Sequence, residues 1–158
     1  MAISLKIYSP FDVDIDTMLN DNNRWVLFEK KLAAVPESIK NILILAPTIS
    51  FLQLLSFRKG FTETQSADVS RIVRDTLLGD RPLSSMVSQL SLKLNIDTPK
   101  ATIIANEIVE NLFMSALEDI KRVQRGIASG SGDKTRTTLP TVINQSINQN
   151  NVIDLKNK

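Results

Sequence analysis

The stretch Phe61–Ile108, "FTETQSADVSRIVRDTLLGDRPLSSMVSQLSLKLNIDTPKATIIANEI", decides the fold. It contains three helical patterns in a row, each with its own start and stop. Thr62 and Gln65 match a capping box, in which each side chain satisfies the other residue's backbone N–H. Val69, Ile72, Val73 and Leu77 then recur at helical spacing, and Gly79 closes the element. Pro82 opens the second pattern, whose face is Leu83, Met86, Val87, Leu90 and Leu94. Asn95 ends it. Asp97 or Thr98 caps the third, with Pro99 close to its first position, where a missing N–H costs nothing.

Working outward toward the C-terminus, the third pattern continues from Thr98 to Val123 or beyond. One stripe uses Ala101, Ile104, Ala105, Ile108 and Leu112. A second uses Val109, Leu112, Phe113, Ala116, Leu117 and Ile120. Two stripes on one long helix predict burial on a broad front or contact with two partners. Lys121, Arg122 and Arg125 suit the negative end of its dipole. After Gly126 the composition turns to Gly, Ser, Thr, Asn and Gln, which is that of a linker rather than a core.

Toward the N-terminus, Gly60 stops a helix predicted over Thr48–Lys59. Pro36 and Glu37 start another that runs to about Leu45. Thr17–Ala34 carries Leu19, Trp25, Val26, Phe28 and Leu32 at helical spacing, with the cluster Asn20–Asn23 as a break. Asp14 or Asp16 is its expected N-cap. Ile3–Tyr8, "ISLKIY", reads as an edge strand or extended peptide. The expected fold is therefore all-α: a compact bundle of five to six short helices with a long C-terminal helix, then a disordered tail. Its expected divisions are an N-terminal extension (1–10), the bundle (11–126), a flexible linker (127–148) and a tail (149–158).

Composition excludes much chemistry. The chain has no Cys and no His, so disulfides, thiolate catalysis, His-based triads and His or Cys metal sites are impossible. Net charge is +2, spread without a dense basic stripe, which argues against phosphate-driven nucleic-acid binding. The most apolar window, Ile42–Phe57, spans fewer residues than the ~20 of a membrane helix, and Pro47 and Gln53 interrupt it. It reads as buried core, and the protein as cytoplasmic, with no membrane contact, cofactor, metal or small-molecule substrate.

The chemistry-bearing motifs have plain structural readings. Asp12, Asp14 and Asp16 alternate as in a calcium loop. The Gly and Glu such a loop needs at its sixth and twelfth positions are Thr17 and Asn23 here. Arg71, Arg74 and Arg81 could bind an anion, but Asp68, Asp75 and Asp80 lie among them and predict mutual ion pairs. Glu107 and Glu110 stand at i, i+3, a spacing usual for a charged outer face. The turn between the second and third patterns has the rhythm of a helix-turn-helix. The outer face that follows holds Lys100, Thr102, Asn106, Glu107 and Glu110, whose carboxylates would repel phosphates.

The stretches "VPESIKNILI" and Phe61–Phe113 carry between them a Pro-Glu helix start, a helix ending in Leu-Leu-Gly and, in a long helix after a helix pair, an Ile-Ala-x-Glu-like core. In these the chain resembles uncharacterised small all-helical proteins of bacteria with reduced genomes. That resemblance implies a helical fold, and a tail with an apolar-acidic-Leu motif, but no activity.

The expected function is a non-catalytic protein-interaction or scaffold module with a protein partner or self-association. The alternative is a helix-turn-helix-like nucleic-acid-binding protein. The partner-binding residues expected are Val152, Ile153 and Leu155, an apolar island in the polar segment "QNNVIDLKNK", Gln149–Lys158. Such a short motif suits a partner's groove or sheet edge, or a groove on its own bundle.

Overall fold

A computed structural model describes residues 4–130, with the side chains of 127–130 outside the description. All regular structure among the described residues is helical. The order is a 3-10 turn (Leu5–Tyr8), α1 (Ile15–Leu19), α2 (Asn22–Ala34), α3 (Glu37–Ile44), α4 (Ala46–Lys59) and α5 (Glu63–Leu77). A 3-10 turn (Leu83–Ser85), α6 (Met86–Leu94), α7 (Thr98–Ile108) and α8 (Leu117–Gly130) follow.

Helix α5 packs against α3, α4, α6 and the N-terminal turn. Its capping box forms as expected: Thr62 Oγ1 accepts from the Gln65 N–H, and Gln65 Oε1 accepts from the Thr62 N–H. It buries Val69, Ile72, Val73 and Leu77, and also Ser66, Ala67, Ser70 and Thr76. The small residues let neighbouring elements approach closely. Their hydroxyls remain satisfied, because Ser66 and Thr76 donate to carbonyls one turn back. Ser70 donates instead to the Ile7 carbonyl at 2.6 Å.

That last bond fixes the N-terminal segment. Residues 5–8, expected as an edge strand or extended peptide, wind as a 3-10 turn against α4 and α5. No sheet exists among the described residues for a strand to join. Tyr8, Ser9 and Pro10 are buried, so the bundle begins before residue 11. The expected break at Asn20–Asn23 is real: Asp21 caps α2 by accepting from the Asn23 and Arg24 N–H groups. Phe28 anchors α2 inward, 5.5 Å from Phe11 and 5.9 Å from Trp25 between ring centroids. These distances suit tilted aromatic pairs.

Thr98–Gly130 is helical throughout, but not as one α-helix. A π turn (Val109–Phe113) and a 3-10 turn (Met114–Ala116) separate α7 from α8. The physical reason lies in the two stripes, which are offset by roughly a quarter turn at ~100° per residue. A π turn holds an extra residue and unwinds that offset. Ile104 and Ile108 before it, Phe113 at its end, and Ala116 and Ile120 after it are consequently all buried. Downstream, Gln124 of α8 clamps the loop after α5. Its Nε2 donates to the Thr76 and Arg81 carbonyls, each at 3.0 Å, and its Oε1 accepts from the Leu83 N–H at 2.9 Å.

Candidate interaction surface

Helix α4 supplies the surface that sequence reasoning missed. Its inner side is core: Leu52 and Leu55 are fully enclosed, with Thr48 and Ser56 beside them. Its outer side carries Ala46, Pro47, Ser50, Gln53, Leu54 and Phe57, all exposed. Ile44 and Leu45 extend this face around the corner from α3, about half exposed. No charge interrupts it between Ile44 and Phe57. Phe57 is 84% exposed and Leu54 55%, one helical turn apart. A scattered exposed leucine is ordinary; an aromatic standing free on a charge-free helix face has the composition of an interface centre.

The window Ile42–Phe57 is therefore half core and half surface, where the sequence predicted core. The signal was available in the pattern: apolar residues at 51, 52, 54, 55 and 57 leave α4 apolar on both sides. Among the described residues no single helix is long and apolar enough to cross a membrane. Helices α3 and α4 pass such a test only as a pair, and they bend by 51° at their junction.

A charged clamp ends the face. Glu107 of α7 takes Arg58 Nη2 on Oε2 at 2.9 Å, while Lys59 Nζ lies 3.0 Å from Oε1. The second contact is one of charge, since Oε1 accepts no hydrogen bond. Burial pushes the Glu107 carboxyl up, and the two cations more than offset this, so it titrates below the ordinary glutamate range. The clamp ties α4 to α7 and leaves neither Arg58 nor Lys59 as a free cation beside Phe57.

The alternating aspartates do not converge. Asp12 accepts from the Ser9 hydroxyl, and Asp16 pairs with Lys6. Asp14 occupies the N-cap position of α1, as expected, but makes no capping bond. It turns to α5 instead, meeting Arg71 Nε at 3.0 Å and Arg74 Nη1 at 2.8 Å. Arg71 also pairs with Asp68, Arg74 with Asp75, and Arg81 with Asp75. Three guanidiniums thus meet three carboxylates: Asp68 and Asp75 pair with them as expected, while Asp80 pairs with Lys31 and Asp14 takes its place. Burial raises the Asp14 carboxyl, but hydrogen bonds and charge from Arg74 and Arg71 bring it below the usual range. Arg74, the most enclosed of the three, is lowered by burial and raised further by Asp75 and Asp14, for a net rise.

Glu107 and Glu110 do not share a site: Glu107 is clamped and Glu110 is exposed. Among the described residues no three carboxylates gather as a metal site would need. The α6–α7 pair has the helix-turn-helix rhythm, with Asn95 in the left-handed region at φ 55°. The outer face of α7 presents Lys100, Ile103 and Asn106, with Glu110 beyond it, so an apolar residue 55% exposed and a carboxylate stand among the donors a reading helix would need.

A second surface feature is an open cleft of about 520 Å³ between the end of α2, the turn after α5, and α8. Lys31, Ala34, Val35, Leu78, Asp80 and Val123 line it. Lys31 and Asp80 pair across its rim at 2.7 Å. The tail residues Val152, Ile153 and Leu155 lie outside the described residues.

The fold and this surface define an all-α helical protein with an apolar, uncharged outer face on its fourth helix. No family model, curated protein or solved structure matches the chain, so the resemblance drawn from its helix starts and stops rests on those motifs alone.

Proposed function

We propose that this protein is a non-catalytic protein-interaction or scaffold module of the cytoplasm, and that a protein partner covers the outer face of α4. The observation that carries this is Phe57, 84% exposed on a helix face without charge. Interface centres are poor in charge and rich in aromatic anchors, and this face has both properties. The engaged state of Asp14, Arg74 and Glu107 supports a structural role for these groups rather than acid–base work. Ile103 on α7 and Glu110 in the π turn after it favour a protein partner over a nucleic acid. The tail motif Val152, Ile153 and Leu155 is a second binding element in this proposal.

The test replaces both anchors, Leu54→Ser with Phe57→Ser. Both are exposed, so unfolding free energy should move by less than ~0.5 kcal/mol. Light scattering after size exclusion, and capture from host lysate, should show an associated state or a bound protein that the double variant loses. A wild-type monomer whose captured proteins are the same with and without the substitutions would overturn the proposal.

A further inference from the structure

We propose that the partner on the outer face of α4 is a second copy of this chain, with the two α4 helices antiparallel across a twofold axis near Ser50 and Gln53. This rests on the reading of that face as an interface and names its occupant. A twofold interface sets one surface against itself, so the surface must be self-complementary. The face of α4 meets this condition in charge, in shape and in area.

Like charges opposed across an interface are costly, and no residue between Ile44 and Phe57 is charged. Just past the face, Arg58 and Lys59 share the single carboxylate of Glu107, so its C-terminal end is net positive. A parallel pair would set these two ends side by side. In the antiparallel pair the two Arg58 residues stand about thirteen positions apart along the axis, ~20 Å at ~1.5 Å per residue. That exceeds the ~8–10 Å over which charges act in ordinary salt.

Shape selects the same orientation. The exposed residues of α4 from Ala46 to Phe57 fall within an arc of about 120° at ~100° per residue. The arc is graded in size: Ala46 and Ser50 lie toward its N-terminal end, Leu54 and Phe57 toward its C-terminal end. Antiparallel pairing lays the bulky half of each copy over the shallow half of the other. With the axis midway between Ser50 and Gln53, Ser50 faces the partner's Gln53 and Phe57 faces the partner's Ala46. A parallel pair would oppose Phe57 to Phe57 and leave a gap at Ala46. Ile44 and Leu45, at the 51° bend between α3 and α4, give further apolar ground to receive Phe57. Ile44, Leu45 and Leu54 are about half exposed and Phe57 84%. At ~200 Å² for a whole large side chain, these four present roughly 470 Å². Ala46, Pro47, Ser50 and Gln53 bring the face to about 700 Å² per copy, close to the ~800 Å² per partner of a stable interface. No ordering precedes the pairing, because the other side of α4 is held in the core by Leu52 and Leu55.

The test uses the purified full-length chain with no other protein present. At ~100 μM, above the ~μM weak limit for standard interfaces, sedimentation should give twice the chain mass. Ser50→Glu and Ser50→Lys each set like charges beside the axis, and each alone should give a monomer. Mixed in equal amounts, the two should regain the dimer mass as a heterodimer. Ser50 is exposed, so the melting temperature of either monomer should barely move, which separates lost pairing from lost folding. Single cysteines report orientation, since the chain has none of its own. A short bismaleimide should join Ser50→Cys to its mate. It should not join Ala46→Cys, whose mate lies ~17 Å away along the axis. The inference is overturned by a monomer of the unaltered chain, by a dimer that survives Ser50→Glu, by no recovery on mixing, or by joining at Ala46→Cys. If the unaltered chain is a monomer, the Leu54→Ser with Phe57→Ser variant decides the broader reading. Loss of a protein captured from lysate keeps the face as an interface for another partner, and unchanged capture removes both readings.

Discussion

Replacing Asp14 by Asn should destabilise the protein at neutral pH and hardly at all in acid. Asp14 receives two guanidiniums, Arg71 Nε at 3.0 Å and Arg74 Nη1 at 2.8 Å, and its side chain is only 15% exposed. Asparagine keeps the shape but loses the charge and turns an acceptor into a donor facing donors. Arg74 is 12% exposed and keeps Asp75, so it is left partly rather than wholly unpaired. Removing one partner of a fully buried pair costs ~3–5 kcal/mol, and an exposed pair contributes ~0–1 kcal/mol. The intermediate burial here places the loss at about 1–3 kcal/mol, the range for a charge-assisted hydrogen bond. The sign with pH follows from linkage. Asp14 has a lowered pKa in the folded protein. Its stabilisation is fully present above the unfolded value near ~3.9 and is lost as pH falls through the folded value. Urea unfolding followed by circular dichroism at pH 7, and again below pH 3, measures both limbs. Glu107 and Asp119 also have lowered values, but they are shared by the two proteins and cancel in the difference. A loss under ~0.5 kcal/mol at pH 7, or a loss equal at both pH values, would refute the reasoning.

Two other substitutions probe the fold. Phe113→Ala empties the fully buried position at the end of the π turn, and should cost ~3–5 kcal/mol in chemical denaturation; a cost below ~1 kcal/mol would mean that Phe113 does not fill the core. Gly60→Ala meets no atom within 4 Å but must adopt φ 70°. It should therefore cost about 1–2 kcal/mol from backbone strain alone, with the denaturant slope unchanged; no loss of stability would show that α4 does not end in the left-handed conformation.

The helix boundaries were largely legible in the sequence because their causes are local. A capping box, a Pro at the first turn or a Gly at the end acts within about five residues. Thr62, Gln65, Gly60, Asn95 and Asp97 all sit where the sequence puts them. Asp14 sits at the N-cap position, one of the two expected, but its carboxylate does not cap, because its partners lie 57 and 60 residues away on α5 and no local pattern announces them. The π turn was missed for a related reason. Two offset stripes can mean two partners or one core reached by an unwound helix, and only the position of the other helices selects between them.

The sequence by itself determined that the protein is helical, that cysteine and histidine chemistry is closed to it, and where most helices begin and end. These follow from composition, hydrophobic period and capping, which each segment carries alone. Tertiary structure decided which side of a helix becomes surface. Helix α4 carries apolar residues on both sides, and period alone cannot say which half the bundle will cover. Packing against α5 and the N-terminal turn buries Leu52 and Leu55 and leaves Leu54 and Phe57 in water. Burial is a property of the assembled neighbours, and those neighbours come from distant parts of the chain.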